Sequence, residues 1–276
     1  MVQRITLASS EYAALLPNSV LELNAQHAHY LVRVLRLRSG DRFIVQNGQG
    51  AQWLAVLNED LSSAQVIDAV VQESPVVLSA PIRLITALPK GNGFDQVVRQ
   101  ATELGVSHIY PVISDRTLLK PSSRKLERWR RIAEEASEQS ERGTVPTVFE
   151  PTGFKNCLEQ VEEEPLRYLC AARDDSYGLA TESEEATKNN SFHRRKHLLV
   201  HLIDSDRAKR TASAALERPL GITLAVGPEG GWSPEEITVA RLRGYEVVSL
   251  GPVILRAVTA PITALSLITA ARELLI

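Results

Sequence analysis

The chain has 276 residues, 44% of them hydrophobic and 23% charged, which is enough apolar material for the core of one large domain or two modest ones. No apolar run is long enough to cross a membrane and the amino terminus does not resemble a signal peptide, so a cytoplasmic protein is predicted. The formal net charge of -2 gives no general attraction for nucleic acid. Any nucleic-acid binding must therefore come from local groups of basic residues.

The amino-terminal quarter has the pattern of a small β domain. Phe43 to Gln46 and Gln52 to Leu57 flank Asn47-Gly48-Gln49-Gly50, a good hairpin turn, and Gln65 to Val71 is another β-rich run. Prolines between Glu73 and Pro81 disfavour continued sheet. The predicted domains are residues 1–73 and 80–276, with a connector between them.

A group of arginines precedes these strands. From the residues alone, these side chains fit a solvated edge of a small domain at least as well as they fit a nucleic-acid contact. Closely spaced arginines could also give a sequence-independent grip on phosphates. The group consists of Arg33, Arg36, Arg38 and Arg42.

After Pro81, strands alternate with helices, which is the pattern of a parallel sheet with right-handed crossovers. The charged residues of the longest helix alternate in sign, so ordinary surface ion pairs are expected there. The predicted elements are strands Ile82 to Leu88, 108–113 and Tyr168 to Ala172, a helix with the apolar face Phe94, Val97, Val98, Ala101 and Leu104, the charged helix Lys125 to Arg142, and a polar loop or partly disordered insertion Asp174 to Arg195.

The segment from Gly221 to Ala260 is the most informative part of the chain. Ile222 to Val226 is an apolar run bounded by glycine, as expected of a strand buried on both faces. A glycine loop follows, and then Ser233, Pro234 and Glu236 specify a capped helix start. That helix is closed by Gly244, the next strand is Glu246 to Leu250, Gly251-Pro252 turns the chain, and a terminal helix begins at Thr259.

The glycine loop, residues 227–231, indicates a small-molecule site. Glycine allows a ligand to approach main-chain amides that a Cβ would shield. The loop matches neither the dinucleotide pattern G-x-G-x-x-G nor the phosphate loop, which needs a lysine and a hydroxyl. Glu229 also disfavours a phosphate, so a neutral or cationic ligand fits better. Trp232 adjoins the loop and either packs or forms a wall of the pocket.

The cysteine and histidine pattern does not predict a bound metal. Cys157 and Cys170 are the only cysteines and form no C-x-x-C pair, so both are expected to be buried thiols in a reducing compartment. Three histidines recur every four residues and could align on a helix: His193, His197 and His201. The run Leu198 to Ile203 predicts a strand, which would break that alignment.

Several separate motifs, in the right order along nearly the whole chain, resemble the SPOUT-class methyltransferases. The resemblance is specifically to the bacterial family that methylates N3 of a uridine in small-subunit (16S) ribosomal RNA. The motifs are Thr86-Ala87-Leu88-Pro89-Lys90-Gly91, residues 99–106 (RQATELGV), Glu138-Gln139-Ser140-Glu141-Arg142, Val226 to Gly231, Leu250 to Arg256, and near the amino terminus Arg4 and LVRVLRLRSGD at residues 31–41.

The resemblance implies a fold and a reaction. The fold is α/β, a trefoil-knotted parallel-sheet methyltransferase domain preceded by a small PUA-like β-barrel. The reaction is methylation of N3 of a uridine in 16S ribosomal RNA, or in the small ribosomal subunit, with S-adenosylmethionine as the donor and no metal. A homodimer is implied as well, since the second subunit generally completes the site in SPOUT proteins.

Site residues are carried over by matching motifs. Arg256 is the first candidate for holding a uracil carbonyl and stabilising the imide anion. Glu138 is the weaker candidate, either for removing the N3 proton or for orienting Arg256, and a surface acid beside Arg142 remains its alternative. The cofactor residues implied are Leu88, Val226, Gly227, Pro228, Glu229, Gly230, Gly231, Leu250, Gly251, Leu255 and Thr259. The RNA residues implied are Arg4, Arg33, Arg36, Lys90, Arg116 and Arg142.

The chain departs from the family pattern at three positions near the proposed site. Val253 replaces the usual arginine after Leu-Gly-Pro, and Ala257 and Val258 replace a threonine and a glutamate. These changes could alter a hydrogen-bond network or a dimer contact. Two alternatives therefore stay open: a catalytically silent RNA-binding or assembly factor with the same fold, and a methyltransferase that acts on another RNA.

Overall fold

A computed structural model describes residues 2–7, 15–70, 80–117, 121–171, 196–212 and 220–274, with backbone only for 206–212. The described residues divide into two compact units. The first unit is Met1–Ser74 with Arg131–Pro146, and the second is Pro75–Arg130 with Thr147–Ile276. Contiguous domains were expected, whereas Arg131–Pro146 groups with the amino-terminal unit. The expected insertion at 174–195 and most of the expected connector lie outside the described residues.

The first unit is built on a five-stranded sheet with the order β1-β3-β4-β5-β2. β1 is parallel to β3, and the other pairs are antiparallel. The sheet encloses an apolar core in which Leu31, Phe43 and Val45 are fully buried. Its elements are β1 Gln3–Thr6, β2 Val20–Glu22, α1 Ala25–His29 followed by a π-helical turn Tyr30–Val34, β3 Arg42–Gln46, β4 Gln52–Leu57 and β5 Ser63–Val70.

The second unit is a parallel sheet flanked by helices, which confirms the expected α/β pattern. The strand order is β12-β10-β11-β6-β7-β8, with β9 also paired to β7, and every pair is parallel. Its strands are β6 Ile82–Ala87, β7 His108–Ile113, β8 Thr147–Val148, β9 Thr152–Gly153, β10 Leu166–Cys170, β11 Ile222–Val226 and β12 Glu246–Val248. Its helices are α2 Gly93–Glu103, the start of α3 Ser123–Gln139, α4 Phe154–Gln160, α5 Leu198–Ala212, α6 Pro234–Leu242 and α7 Thr259–Leu274.

The strand register places five loops at one edge of this sheet. The cross-strand partners Val248, Cys170, Val226, Thr86 and Pro111 form a single row across β12, β10, β11, β6 and β7. Because the strands are parallel, the chain leaves all of them at the same carboxyl edge. The strands β7 to β9 lie on one side of β6, whereas β10 and the strands after it lie on the other side. In open α/β sheets, ligands bind at the point where the strand order changes sides in this way.

Local signals account for the helix beside the glycine loop. The Ser233 hydroxyl accepts a hydrogen bond from the Glu236 amide, and the Glu236 carboxylate accepts one from the Ser233 amide, which completes the predicted capping box. Gly244 has φ +77° just after α6, as required where a helix is closed by a left-handed residue. Ile222–Val226 is buried along its whole length, as expected of a central parallel strand.

The strand expected at Leu198 to Ile203 is wrong, because this run begins α5. Leu198 and Leu202 are buried, whereas Val200 between them is 41% exposed. Burial at a spacing of four residues fits a helix that lies on the sheet, and α5 packs on α7. Strand-like pairing is limited to His197, which bridges Ser249 beside β12. A short apolar run has no periodicity that separates the two structures, so tertiary packing decided.

Candidate functional site

Three loops meet at the carboxyl edge of the parallel sheet. The first loop, 88–91, follows β6; the glycine loop, 227–231, follows β11; and the third loop, 249–258, follows β12. The Lys90 amide donates to Glu229 Oε1 at 3.1 Å, which joins the first loop to the glycine loop. A Cβ built on Gly93, just after the first loop, would lie 2.8 Å from Val258 Cγ2 in the third loop. The sheet topology therefore brings together residues about 170 positions apart along the chain.

Two glycines of the glycine loop are required by packing within the protein. A Cβ on Gly227 would lie 3.1 Å from the indole ring of Trp232. This ring is buried, packs against Phe154 in a tilted contact and donates from Nε1 to the Cys170 carbonyl. A Cβ on Gly230 would lie 3.2 Å from Arg116 Cβ. Trp232 thus packs beneath the loop, which is one of the two roles predicted for it.

Other glycines of the three loops face open space. Gly231 has φ +73° and Gly251 has φ +130°, and a Cβ on either would have no atom within 4 Å. Gly91 behaves in the same way. Each loop therefore has one glycine at which a ligand would meet no side chain, while the Gly231 and Gly251 amides already donate to the Pro228 carbonyl and to Ser249 Oγ. This is the arrangement that the glycine pattern predicts, at three of the glycines rather than at all of them.

Arg256 lies in the third loop at the start of the terminal helix. Its carbonyl accepts hydrogen bonds from the Thr259 and Ala260 amides at 2.9 Å, and the residue is exposed. Ala257 is buried beside it, while Val253 and Ile254 are 68% and 62% exposed. Leu88, the first residue of the first loop, is buried, whereas Leu250 and Leu255 are half-buried and Thr259 is exposed. Val226 and Pro228 are also buried, and with them the residues of the predicted cofactor site are complete.

Glu138 and Arg142 belong to the first unit. Glu138 Oε1 accepts a hydrogen bond from the Thr6 amide at 2.6 Å. Burial raises the pKa of Glu138 to about 7, with the Thr6 hydrogen bonds acting in the opposite direction. Burial also lowers the pKa of Arg142 to about 10. The observed partner of Glu138 is thus a strand of the sheet in the first unit.

The other residues assigned to RNA differ in their environments. Arg33 and Arg36 are exposed, and Arg36 adopts φ +58° after the π-helical turn. Lys90 is exposed in the first loop, and its amide is bonded to Glu229. Arg4 is 11% exposed and pairs with Glu141 at 3.2 Å, within the first unit.

Arg116 makes a contact that its sequence position does not reveal. It is exposed, yet its Nη1 donates to the Gly230 carbonyl at 2.7 Å, so it lies against the glycine loop. Asp115, next to it, is bonded to Ser233 and Glu236 and was not a predicted site residue. Asp115 and Arg116 are a polar pair that follows a buried parallel strand at the edge carrying the glycine loops. That position in the sequence is the signal that would have identified Asp115 as a site residue.

Within the described residues, no group of three His, Cys, Asp or Glu side chains could hold a metal ion. His201 Nδ1 lies 2.6 Å from Glu246 Oε2, at the amino end of β12, and His197 Nδ1 accepts from the Leu199 amide. His193 is outside the described residues. None of the helices in the described part of the chain is long and apolar enough to cross a membrane.

Comparison with known proteins gives two family matches and close relatives. A family model described as RNA methyltransferase domain matches residues 77–269, and one described as RNA methyltransferase PUA domain matches residues 23–67. A Synechocystis protein named ribosomal RNA small subunit methyltransferase E is 41% identical over 264 residues, covering 93% of this chain and 76% of that protein. A Bacillus subtilis protein of the same name is 27% identical over 259 residues, covering 92% and 91%.

Solved structures resemble the whole chain. The Neisseria gonorrhoeae ribosomal RNA small subunit methyltransferase E, bound to S-adenosyl methionine, has a TM-score of 0.73 and 25% identity, with 96% of each chain covered. A methyltransferase from Legionella pneumophila in complex with the same cofactor has a TM-score of 0.73 and 24% identity, with 98% of each chain covered. The likeness therefore includes both units and is not confined to the glycine loop.

Proposed function

Because this chain belongs to the RNA methyltransferase family, we propose that it transfers a methyl group from S-adenosylmethionine to N3 of a uridine in 16S ribosomal RNA. The observation that carries the proposal is the meeting of three loops, each with a glycine whose Cβ direction is open, at the carboxyl edge of the parallel sheet. Both the relatives named above and the similar structures with bound cofactor support it.

The residues of the three loops fit S-adenosylmethionine. The open glycine position in each loop leaves room for a ligand to approach the main chain closely. Leu250 and Leu255 are half-buried and supply apolar surface for an adenine ring. Glu229, in the glycine loop, suits a cationic ligand better than a phosphate. When bound, the cofactor supplies a methyl group already activated by its sulfonium sulfur.

The protein's own task is to position the uridine and to stabilise the charge left when N3 loses its proton. Arg256 is proposed to bind a uracil carbonyl through its planar guanidinium, which favours the imide anion. A guanidinium stays protonated and is a poor base. Glu138 is proposed for proton removal by resemblance, and a carboxyl with a pKa of about 7 is suited to that role near neutral pH. Its bond to Thr6 supports a structural role equally well.

Recognition of the RNA is proposed to combine base extrusion with phosphate contacts. N3 of uridine takes part in base pairing, so the target base must be unpaired or splayed out of its stack. Exposed Arg33 and Arg36 are proposed to bind phosphates. The assignments of Arg4, Lys90, Arg116 and Arg142 to RNA, and the homodimer, stay predictions from resemblance.

The structure gives a physical account of two of the three departures from the family pattern. Ala257 is buried, and Val258 packs against Gly93 at the start of α2. Both positions therefore use apolar contacts to hold the start of α7 in place, which leaves the position of Arg256 supported without the usual hydroxyl and carboxylate. Val253 is exposed, and nothing in the structure explains its choice.

Nucleoside mass spectrometry tests the proposal. Small-subunit particles that lack the modification are incubated with the protein and isotopically labelled S-adenosylmethionine. We expect labelled 3-methyluridine, and we expect Arg256→Ala to reduce its rate of formation by about 100-fold or more while cofactor binding persists. Cofactor binding without any labelled nucleoside would favour the silent binding factor. Label in a different RNA would favour the alternative substrate.

A further inference from the structure

The turn that follows β7, residues 114–117 (here the β7 turn), is closed by hydrogen bonds between its two ends. The Thr117 amide donates to the Ser114 carbonyl at 3.0 Å, and the Ser114 amide donates to Thr117 Oγ1 at 3.0 Å. The two hydroxyls of Ser114 and Thr117 lie 2.9 Å apart. A turn closed on itself in this way presents the side chains between its ends in fixed directions. Those side chains are Asp115 and Arg116.

Arg116 holds the glycine loop from one side. Its Nη1 donates to the Gly230 carbonyl at 2.7 Å, a short bond from a charged donor. Its aliphatic carbons also lie against Gly230, since a Cβ there would be 3.2 and 3.3 Å from Arg116 Cβ and Cδ. The contact therefore combines a hydrogen bond with packing on a residue that has no side chain.

Asp115 holds the end of the same loop through Glu236. Glu236 is 1% exposed; its Oε1 accepts from the Asp115 amide at 3.0 Å and its Oε2 from the Ser233 amide at 2.8 Å. Desolvation raises the pKa of Glu236, so its placement relies on these donors. The Ser233 hydroxyl in turn donates to Asp115 Oδ2 at 2.6 Å. Two hydrogen bonds, one from the Asp115 amide to Glu236 and one from the Ser233 hydroxyl to Asp115, thus join the β7 turn to the residues just after the glycine loop.

We propose that the β7 turn is a positioning element for the cofactor, in which Arg116 and Asp115 fix the glycine loop at Gly230 and Ser233. Gly231, whose Cβ direction opens on free space, lies between these two points. A ligand that uses its backbone needs that backbone held in one conformation before binding. The inference rests on the proposed function, because the ligand is taken to be S-adenosylmethionine. It gives Arg116 a role different from the RNA contact that resemblance implies.

Isothermal titration calorimetry tests the proposal by measuring how tightly S-adenosylmethionine binds to the purified full-length protein without RNA. Asp115→Ala removes the acceptor for Ser233 but keeps the capping box of α6, and Arg116→Met keeps the aliphatic stem but removes the donor. We expect each variant to weaken binding roughly 3- to 10-fold. Asp115→Asn, which keeps an acceptor oxygen, should bind within about 2-fold of wild type.

Matched controls separate positioning from general destabilisation. Glu246→Ala removes the carboxylate that lies 2.6 Å from His201 Nδ1, at the amino edge of the same sheet, and it should leave cofactor affinity unchanged whatever its effect on the melting temperature. In methylation assays, the positioning variants should raise the KM for the cofactor and recover most of kcat at saturation. Arg116→Met alters an exposed side chain, so it keeps the proposal testable if Asp115→Ala fails to fold.

Three results would overturn the proposal or its premise, and they are distinguishable. If wild-type protein binds no S-adenosylmethionine, the proposed function fails. If wild type binds and both variants bind equally well, the β7 turn has no positioning role. If Arg116→Met leaves cofactor affinity unchanged but lowers the salt dependence of RNA binding by about 0.7 in log-log slope, Arg116 is a phosphate contact instead.

Discussion

The carboxyl group of Glu138 accepts a hydrogen bond from the Thr6 amide, which fits a structural role. Burial also raises its pKa to about 7, which fits the proposed role in proton removal. The sequence offered only its position in a motif and its proximity to Arg142. Burial supplies the raised pKa, and no periodicity or spacing along the chain could have revealed it, because the desolvating partner is a strand 132 residues away.

Glu138→Gln distinguishes these roles by pH. The pKa of Glu138 is raised from 4.5 to about 7, so its contribution to stability is greatest below the unfolded pKa and is lost as the pH rises through about 7. The amide oxygen of the substituted side chain can still accept from Thr6, and this side chain does not titrate. The variant's free energy of unfolding, minus that of wild type, should therefore rise between pH 5 and pH 8 in urea titrations.

Activity of the same variant decides the catalytic assignment. If Glu138 removes the N3 proton, Glu138→Gln should reduce kcat by at least about 100-fold with the cofactor affinity intact. An unchanged kcat would leave the structural role only. A stability difference that stays constant with pH would argue against the raised pKa.

At the scale of elements, α7 is fastened to the sheet by a buried arginine that none of the sequence motifs includes. Arg272 is 7% exposed, and its guanidinium donates to the Ala80 carbonyl at 2.9 Å and the Leu220 carbonyl at 2.8 Å. Those carbonyls precede β6 and β11, the two central strands. The desolvated guanidinium, whose pKa burial lowers to about 10, thus ties the carboxyl-terminal helix to the amino edge of the sheet.

Arg272→Met should lower the free energy of unfolding by about 2 to 4 kcal/mol, because buried carbonyls lose a charged donor. Chemical denaturation of the full-length protein measures this effect. Arg124→Met, at an exposed position of α3, is the matched control and should change stability by less than about 0.5 kcal/mol. Equal effects of the two substitutions would show that the buried bonds contribute little.

For the whole molecule, the expected α/β architecture with a preceding PUA-like domain is confirmed by the parallel sheet and by the two family matches. The trefoil knot stays a prediction from resemblance. The arginines of the first unit are the main candidates for RNA contact. Arg36 adopts a left-handed backbone conformation, which costs a residue with a side chain about 1 kcal/mol relative to glycine. Glycine would fit this conformation better but has no charged group, so an arginine at this position is consistent with a phosphate contact.

Arg33→Gln and Arg36→Gln should each weaken RNA binding and reduce the log-log salt slope by about 0.7, the value for one lost phosphate contact on a single strand. Filter binding at a series of salt concentrations measures the slope. Arg131→Gln, in the same unit, removes a charge that is already paired with Glu135 and should leave the slope unchanged. Unchanged slopes for Arg33 and Arg36 would assign these arginines to the solvated surface.

The sequence by itself determined the elements whose signals are local. The capping box at Ser233, the buried strand Ile222–Val226 and the closing Gly244 depend on neighbours within a few residues, and each was predicted correctly. Only the tertiary structure decided which glycines pack on Trp232 and Arg116 and which face open space, that Leu198–Ala212 is a helix, and that Asp115 and Glu236 hold the glycine loop. All three features depend on contacts between residues that are far apart along the chain. The spacing of neighbouring residues cannot specify those contacts, because they form only when the sheet register and the helix packing bring the segments together.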